Sequence, residues 1–253
     1  MSRQYLGQNF LIDESILEKI ASLFKPPGEF GEIGPGHGEL TKYLSKKYSD
    51  FTVFEKDKNL VPLHKTLKNY RVVEGDFLDW DFNLQNKQIE NFSFIGNLPY
   101  EAGTAIVKRI CERPSQVVHF LFLLQKEVVE RLCAKPHTRD FGSLSVLVQG
   151  QFDVEALDIV RPEAFNPAPQ VMSQLVGGFR RENGAHPVSS KYNQFVQSCF
   201  LHKRKTFRNA IKSKFSKEKI DEVFQDFDLK PTARAEEISV DLWPALFKAF
   251  QDG

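Results

Sequence analysis

The sequence contains little cysteine and no long apolar segment, and both features restrict the kind of protein it can encode. Its three cysteines, Cys111, Cys133 and Cys199, are widely separated among 253 residues, which excludes a disulfide scaffold and predicts no metal site. The longest apolar run, residues 117–124, contains His119 and is far shorter than the ~20 residues of a membrane-spanning helix. The N-terminus is polar and lacks the apolar core of a secretory signal. We therefore expect a reduced, cytoplasmic protein that does not enter a membrane.

Net charge is also nearly absent. The chain has 34 Lys and Arg against 33 Asp and Glu, a formal charge of +1, which taken alone argues against a nucleic-acid partner. The charge is unevenly distributed, however. Residues 184–253 carry 12 basic and 9 acidic residues, which leaves 22 basic and 24 acidic for residues 1–183. An average over the whole chain therefore hides a locally basic region.

The basic region lies between Cys199 and Lys217, where seven basic residues occur without an acid: Lys203, Arg204, Lys205, Arg208, Lys212, Lys214 and Lys217. If residues 199–215 form one helix, Lys205, Arg208 and Lys212 share a face, opposite an apolar stripe. Such a face either binds phosphate or is merely solvated. The charge pattern alone leaves both open.

The first two thirds of the chain alternate short β-rich runs with amphipathic stretches, which predicts βαβ units and a doubly wound, mostly parallel seven-stranded sheet. The predicted strands are residues 30–33, 51–55, 71–74, 92–96, 117–124, 154–160 and 174–179, and the predicted helices between them are 40–47, 58–68 and 104–111. After a linker at 182–187, the chain looks helical over 189–202, 203–215, 217–227 and 236–250. We expect an α/β Rossmann-like domain over 1–183 and a small all-helical domain over 184–253.

Three predicted strands end in residues suited to a nucleoside cofactor. Gly34 and Gly36 follow the first strand and permit a tight turn close to a ligand. Glu55 ends the second strand, 21 residues after Gly34, where an acid can accept hydrogen bonds from ribose hydroxyls. Asp76 follows the third strand and can accept a hydrogen bond from an adenine amino group. Taken singly, each is as consistent with an ordinary βα turn; together they indicate a cofactor site, because ligands bind at the carboxyl ends of such strands.

The fourth strand ends in Asn97-Leu98-Pro99-Tyr100, which favours methyl transfer to a planar amine over hydride transfer. The Asn97 side-chain oxygen and the Leu98 carbonyl can hold both N–H groups of an adenine amine and free its lone pair for attack. Pro99 fixes the turn that aims the carbonyl. Tyr100 offers a ring on which the base can stack, at ~1–3 kcal/mol per base. Phe165 lies in a turn expected at the same sheet edge, where it would place a second ring on the base.

With these motifs the sequence resembles the small-subunit ribosomal RNA adenine N6,N6-dimethyltransferase family. The resemblance covers nearly the whole chain and rests on these stretches: QNFL at 8–11, EIGPGHGELT at 32–41, GNLPY at 96–100, LLQKEVVERL at 123–132, FGSLSVLVQ at 141–149, AFNPAPQV at 164–171, KRKTFRN at 203–209 and RAEEIS at 234–239. The family uses S-adenosylmethionine to dimethylate two adjacent adenosines near the 3′ end of 16S rRNA.

The resemblance implies roles for individual residues. It implies cofactor contacts from Asn9, Leu11, Gly34, Glu55, Asp76 and Asn97, and a flipped adenine between Tyr100 and Phe165. The basic segment, with Lys203, Arg204, Lys205 and Arg208, would grip 16S rRNA by charge and shape. The implied protein is a monomeric S-adenosylmethionine-dependent enzyme with no metal and a role in small-subunit biogenesis.

Some positions depart from the family. Glu101 to Ala105 replace the usual Asn-Ile-Ser-Thr-Pro, while Ala168, Met172 and Lys203 replace Pro, Asp and Arg. None of these belongs to the implied cofactor contacts. Three other functions stay open: a 23S rRNA adenine N6-methyltransferase of the macrolide-resistance type, which typically has Ile at the position of Leu98, a mainly non-catalytic assembly factor, and a dehydrogenase.

Overall fold

A computed structural model describes residues 9–66, 70–84, 87–113, 116–182, 186–187, 189–202 and 205–251. The strands are β1 (Phe10–Leu11), β2 (Phe30–Ile33), β3 (Phe51–Glu55), β4 (Tyr70–Glu74), β5 (Asn83–Leu84), β6 (Lys87–Gln88), β7 (Phe92–Asn97), β8 (Val117–Gln125), β9 (Phe152–Val160), β10 (Phe165–Asn166) and β11 (Ser173–Arg180). The helices are α1 (Glu14–Leu23), α2 (Glu39–Lys47), α3 (Val61–Lys65), α4 (Gly103–Cys111), α5 (Lys126–Cys133), α6 (Ser143–Gln149), α7 (Ser190–Cys199), α8 (Phe207–Ile211), α9 (Lys217–Asp226) and α10 (Trp243–Gln251).

A seven-stranded sheet in the order β4-β3-β2-β7-β8-β11-β9 confirms the expected mostly parallel architecture. Strands β4, β3, β2, β7 and β8 are parallel to one another, whereas β11 runs antiparallel to β8. Each of the seven strands predicted from the sequence is present. Because parallel strands end at the same edge of a sheet, the loops after β2, β3, β4 and β7 emerge together.

Burial on both faces of the sheet explains why its strands read as apolar runs. All residues of β2 and β3 are buried, and so are seven of the nine in β8, as expected where helices cover a parallel sheet. The helix α1 is fixed at its start by Asp13, whose carboxylate accepts hydrogen bonds from the backbone N–H groups of Ser15 and Ile16. Its buried face carries Leu17, Ile20 and Ala21.

The chain divides into two compact units. The first comprises residues 1–129 and 155–180, and the second comprises residues 130–154 and 181–253. The segment 130–154 belongs to the second unit because Phe141, Val146 and Leu147 share a buried cluster with Tyr192, Trp243 and other residues of the C-terminal helices. This division differs from the expected single boundary at residues 183/184, and residue 183 itself lies outside the described part. The functional boundary stays a prediction.

Residues 199–215 do not form one helix, so the condition for a shared basic face is not met, and the helix expected over 203–215 is present only as the shorter α8. The helix α7 ends at Cys199, and α8 begins only at Phe207. Thr206 starts the new helix by accepting a hydrogen bond from the backbone N–H of Asn209, the usual role of a side-chain oxygen at this position. Lys205 therefore lies before α8 while Arg208 lies within it, and the two do not share a helical face. The expected helix at 236–250 also begins later, at Trp243.

Within the part of the chain that the structure describes, no helix has the length and apolar character needed to cross a membrane.

Replacing Gly96 of β7 by Ala should destabilise the sheet. A Cβ at Gly96 would lie 2.5 Å from the backbone oxygen of Ile33 on β2, and neither backbone can move without breaking strand pairing. We expect the free energy of unfolding in urea to fall by ~1–3 kcal/mol, the usual cost of overpacking.

Gly177→Ala on β11 is the matched control, because the nearest atom to its added Cβ is Leu121 Cδ1 at 3.7 Å. There the loss of unfolded-state freedom should leave stability unchanged or raise it by ~0.4–1 kcal/mol. Equal destabilisation by the two substitutions would contradict the close approach of β2 and β7.

Candidate active site

A cleft lies at the carboxyl edge of the parallel strands, in the first unit. Its walls come from β1, the glycine loop after β2, the start of α2, and the turn after β7. The lining residues are Asn9, Phe10, Leu11, Leu17, Glu32, Gly34, Pro35, Gly36, Glu39, Leu40, Asn97, Leu98, Pro99 and Tyr100. The cleft thus brings together eight of the eleven residues predicted as catalytic or cofactor-binding. Glu55, Asp76 and Phe165 are not in its lining.

The glycine loop has a backbone conformation that side chains rarely adopt. Gly34 and Gly36 have φ angles of +67° and +60°, which an L-residue reaches only with strain. At Gly36 a Cβ would also lie 2.8 Å from the Phe10 ring, whereas nothing lies within 4 Å of a Cβ placed on Gly34. The loop therefore leaves open space beside Gly34, into which a ligand can approach the backbone.

Gly36 is held from two sides. Its backbone N–H donates to Glu55 Oε2 at 3.3 Å, and its carbonyl lies 2.9 Å from Nε2 of His64, a fully buried side chain on α3. Because a carbonyl only accepts, His64 Nε2 is the donor, and His64 Nδ1 lies 3.0 Å from the Tyr70 hydroxyl. Sequence reasoning missed His64, since one histidine in an amphipathic stretch carries no signal.

Glu55 and Asp76 both have intramolecular partners in this structure. The Glu55 carboxylate also accepts from the backbone N–H of Asp57 at 2.7 Å; burial raises its pKa, against the effect of its two backbone hydrogen bonds. The Asp76 carboxylate accepts from Lys56 Nζ at 2.6 Å and from the Leu78 backbone N–H at 3.0 Å. Burial acts to raise the Asp76 pKa, but these hydrogen bonds outweigh it and the pKa is lowered.

Glu32 is a buried acid in the cleft wall to which the sequence reasoning assigned no role. Its carboxyl group accepts a hydrogen bond of 2.6 Å from the Thr41 hydroxyl on α2. Burial raises the Glu32 pKa to about 8, with smaller contributions from the nearby negative charges of Glu39 and Glu55. The signal available in the sequence was its place near the end of β2, two residues before Gly34.

Asn97 is oriented by the N-terminal segment. Its side-chain Nδ2 donates a hydrogen bond of 2.9 Å to the backbone carbonyl of Asn9, so the amide oxygen faces away from that contact and is available to accept. The Leu98 backbone N–H donates to the Leu123 carbonyl at 3.1 Å, and no described residue donates to the Leu98 carbonyl. Two acceptors, one from a side chain and one from the backbone, are thus available at the end of β7.

Pro99 and Tyr100 complete the turn. The Pro99 carbonyl accepts hydrogen bonds from the backbone N–H groups of Ala102 and Gly103, at 3.0 and 2.8 Å, which joins the turn to the start of α4. The Tyr100 hydroxyl lies 2.6 Å from the hydroxyl of Ser173, the first residue of β11. Burial raises the Tyr100 pKa, partly opposed by this hydrogen bond. Tyr100 lines the cleft as a neutral ring.

Phe165 lies close in the fold to the cleft-lining N-terminal segment. It pairs with Leu11 in the short antiparallel ladder of β1 and β10. Its side chain is only 3% exposed and belongs to the core of the first unit. The ring is therefore packed in the core here and does not face the cleft as Tyr100 does.

Of the four residues predicted to bind RNA, Lys203 and Arg204 lie outside the described residues. Lys205 is exposed. The Arg208 guanidinium makes an ion pair with Asp221 on α9 and lies 5.5 Å from the centre of the Phe224 ring. Arg208 thus has intramolecular contacts that the charge pattern did not predict.

Among the described residues, no group of three or more His, Cys, Asp or Glu side chains is arranged to hold a metal ion.

The chain is similar to known rRNA methyltransferases along its whole length. A family model described as Ribosomal RNA adenine dimethylase matches residues 1–252. The chain is 37% identical over 238 residues to Ribosomal RNA small subunit methyltransferase A of Pseudomonas syringae, which covers 91% of this chain and 89% of the relative. It is 36% identical over 253 residues to the protein of that name from Neisseria meningitidis, covering 97% and 95%.

Solved structures share the fold. A dimethyladenosine transferase from Plasmodium falciparum superposes with a TM-score of 0.78 at 21% identity, covering 96% of this chain and 98% of that one. The 23S rRNA methyltransferase ErmE superposes with a TM-score of 0.67 at 25% identity, covering 96% and 100%.

The buried Glu32 should make stability depend on pH. Folded Glu32 keeps its proton up to about pH 8, whereas the unfolded chain loses it near pH 4.5. Between these values the folded state binds more protons, so the free energy of unfolding falls as pH rises. The Glu32 contribution to this slope reaches as much as about 1.4 kcal/mol per pH unit.

Glu32→Gln should remove that contribution while keeping an acceptor for Thr41. Urea unfolding of both proteins at about pH 5.5 and about pH 7.5 measures it. The exposed Glu163→Gln serves as control and should retain the slope of the parent protein. An equal pH dependence in the parent and Glu32→Gln would contradict a protonated Glu32.

Proposed function

Since the chain belongs to the ribosomal RNA adenine dimethylase family, we propose that it dimethylates the N6 amines of two adjacent adenosines near the 3′ end of 16S rRNA, with S-adenosylmethionine as methyl donor. The observation that carries the proposal is the arrangement of Asn97. The contact of its Nδ2 with the Asn9 carbonyl leaves the side-chain oxygen as an acceptor, and no described residue donates to the carbonyl of the next residue, Leu98. Two such acceptors match the two N–H groups of an adenine amine.

The cleft residues fit the methyl donor. The open space beside Gly34 permits close approach of a ligand to the loop backbone. The proposed contacts to the donor come from Asn9, Leu11, Gly34, Gly36, Glu55, Asp76 and Asn97. Of these, Glu55 binds the Gly36 N–H, so it supports the loop as well as offering a ribose contact.

The proposed reaction needs no carboxylate base. S-adenosylmethionine supplies a methyl group on a sulfonium sulfur, and the amine nitrogen forms the new N–C bond as the S–C bond breaks and then releases its proton to water. Asn97 and the Leu98 carbonyl hold the amine in the geometry for in-line attack, worth several powers of ten in rate when such groups are preorganised. Pro99 fixes the turn that carries both acceptors.

Tyr100 is the proposed stacking surface for the extruded base, since its ring lines the cleft next to Asn97 and Leu98. Phe165 is the proposed second ring. Because its side chain is 3% exposed, stacking on Phe165 requires the β1–β10 pair or the side chain to move when the target binds.

The proposed partner is 16S rRNA within the small ribosomal subunit. We propose that the enzyme binds it as a monomer in the cytoplasm. Lys203, Arg204 and Lys205 are proposed to contact the RNA backbone electrostatically. Arg208 is proposed to do so only in part, because its guanidinium is already paired with Asp221. Residues 184–253 form the proposed RNA-binding domain, and residues 1–183 the catalytic one.

The competing function is methylation of 23S rRNA, since ErmE is described as a 23S rRNA methyltransferase. The 37% identity to a small-subunit methyltransferase over 91% of this chain and Leu98 in place of the Ile of the 23S group favour the small subunit. A mainly non-catalytic assembly role receives no support from the site, because Asn97, Pro99 and Tyr100 are all present and line one cleft.

Radiolabelled methyl transfer distinguishes these functions. Undermethylated small subunits, free 16S rRNA and large subunits are each incubated with the enzyme and labelled donor, and the modified adenines are mapped. We expect dimethylated adenines near the 3′ end of 16S rRNA. Label confined to 23S rRNA would establish the competing function, and absence of label from every adenine would contradict the enzymatic one.

Asn97→Ala should abolish methyl transfer, because it removes one of the two acceptors for the target amine. We expect a loss of at least about 100-fold in turnover, comparable with removal of a preorganised polar group elsewhere, while binding to small subunits is retained. Asn59→Ala is the control, since Asn59 lies in another βα turn, where its side chain donates a hydrogen bond to Asp57. We call the two acceptors, the Asn97 side-chain oxygen and the Leu98 carbonyl, the amine clamp. Undiminished turnover by Asn97→Ala would refute it.

A further inference from the structure

The hydroxyl groups of Tyr100 and Ser173 are joined by a hydrogen bond of 2.6 Å between residues 73 positions apart. Ser173 is completely buried, and its position is fixed by the sheet: it pairs with Gln125 at the end of β8. Immediately before it, the Met172 carbonyl accepts a hydrogen bond from the backbone N–H of Lys126 at 2.9 Å. The contact therefore joins a cleft-lining ring to a rigid point of the sheet.

This contact limits how the Tyr100 ring can turn. A tyrosine side chain has two rotatable bonds, and fixing its hydroxyl at the far end of the ring restrains both. An untethered ring would have to be ordered when the base binds, which costs conformational entropy at that moment. Residues held by buried hydrogen bonds keep a site within the narrow geometry that reactions require.

We propose that Ser173 is a positioning residue for methyl transfer: it holds the Tyr100 ring in the plane on which the target adenine stacks. The inference rests on the proposed role of Tyr100 as the stacking surface. Ser173 itself touches no substrate, because its side chain is fully buried. It acts through the ring, which decides whether the amine of a stacked base reaches the acceptors on Asn97 and Leu98.

The position of the base affects the rate of methyl transfer more than it affects the affinity for the small subunit, because one base is a small part of an RNA interface. Loss of the tether should therefore lower kcat and leave the KM for small subunits nearly unchanged. A defect in folding or in RNA contact would instead lower the amount of active enzyme or raise KM.

A double-mutant cycle tests the proposal. Ser173→Ala removes the anchoring hydroxyl, and Tyr100→Phe removes the tethered hydroxyl while keeping the ring. We expect each substitution to lower the single-turnover rate about tenfold, equivalent to about 1.4 kcal/mol in the barrier. The double variant should be no slower than either single variant, because both remove the same hydrogen bond. Additive losses, or an unchanged rate in Ser173→Ala, would overturn the proposal.

Three further variants separate this role from a structural one. Ser173→Thr keeps a hydroxyl and should restore most of the rate; failure to do so at normal thermal stability would count against the tether. Ser93→Ala removes another fully buried serine hydroxyl, on β7, and should leave the rate unchanged. Tyr100→Ala tests the proposed function separately. If it retains full activity, the stacking surface itself is wrong; if it alone is inactive while Ser173→Ala is unaffected, only the tether is wrong.

Discussion

Parallel pairing of β2 with β7 is the constraint on which the candidate site depends. Phe30 pairs with Ser93, and the register continues to Glu32 and Ile95, so both strands end at the same edge. One then continues into the glycine loop and the other into Asn97. Gly96 allows this because it has no side chain where the Ile33 carbonyl of β2 approaches. A shift in register would separate the proposed donor loop from the proposed amine clamp, even if every residue in both were kept.

The orientation of Asn97 depends on a segment 88 residues away in the sequence, since its side chain donates to the Asn9 carbonyl. The β1–β10 pair holds that segment beside Phe165, and the Ile12 N–H also donates to the Ala164 carbonyl. Tertiary structure therefore determines that the Asn97 side chain presents its oxygen, and not its nitrogen, to the target amine in the proposed amine clamp. An isolated Asn-Leu-Pro-Tyr turn would leave the side-chain amide free to present either its oxygen or its nitrogen.

The sheet could be predicted from the sequence because strands buried on both faces appear as continuous apolar runs, and its parallel order placed Gly34 and Asn97 at one edge. The β1–β10 pair could not, since two-residue strands have no periodicity. His64 and Ser173 were missed for a related reason: a lone polar residue gives no pattern, and its role comes from the Gly36 carbonyl or the Tyr100 hydroxyl that folding brings to it. The helix expected over 203–215 begins only after Thr206, because the spacing of apolar and basic residues continues across this residue whereas its side chain starts the helix there.

The basic segment shows why charge counted along a chain differs from charge available to a partner. Seven basic residues are followed by a group of acids that begins at Glu218, and helix packing brings Arg208 to Asp221. That pair removes much of the field that Arg208 would otherwise offer a phosphate, because opposite charges in contact largely cancel at a distance. Lys205 is exposed, by contrast. The formal charge of +1 therefore says little about RNA binding. It hides a basic segment, and the number of basic residues in that segment exceeds the number whose charge is unpaired.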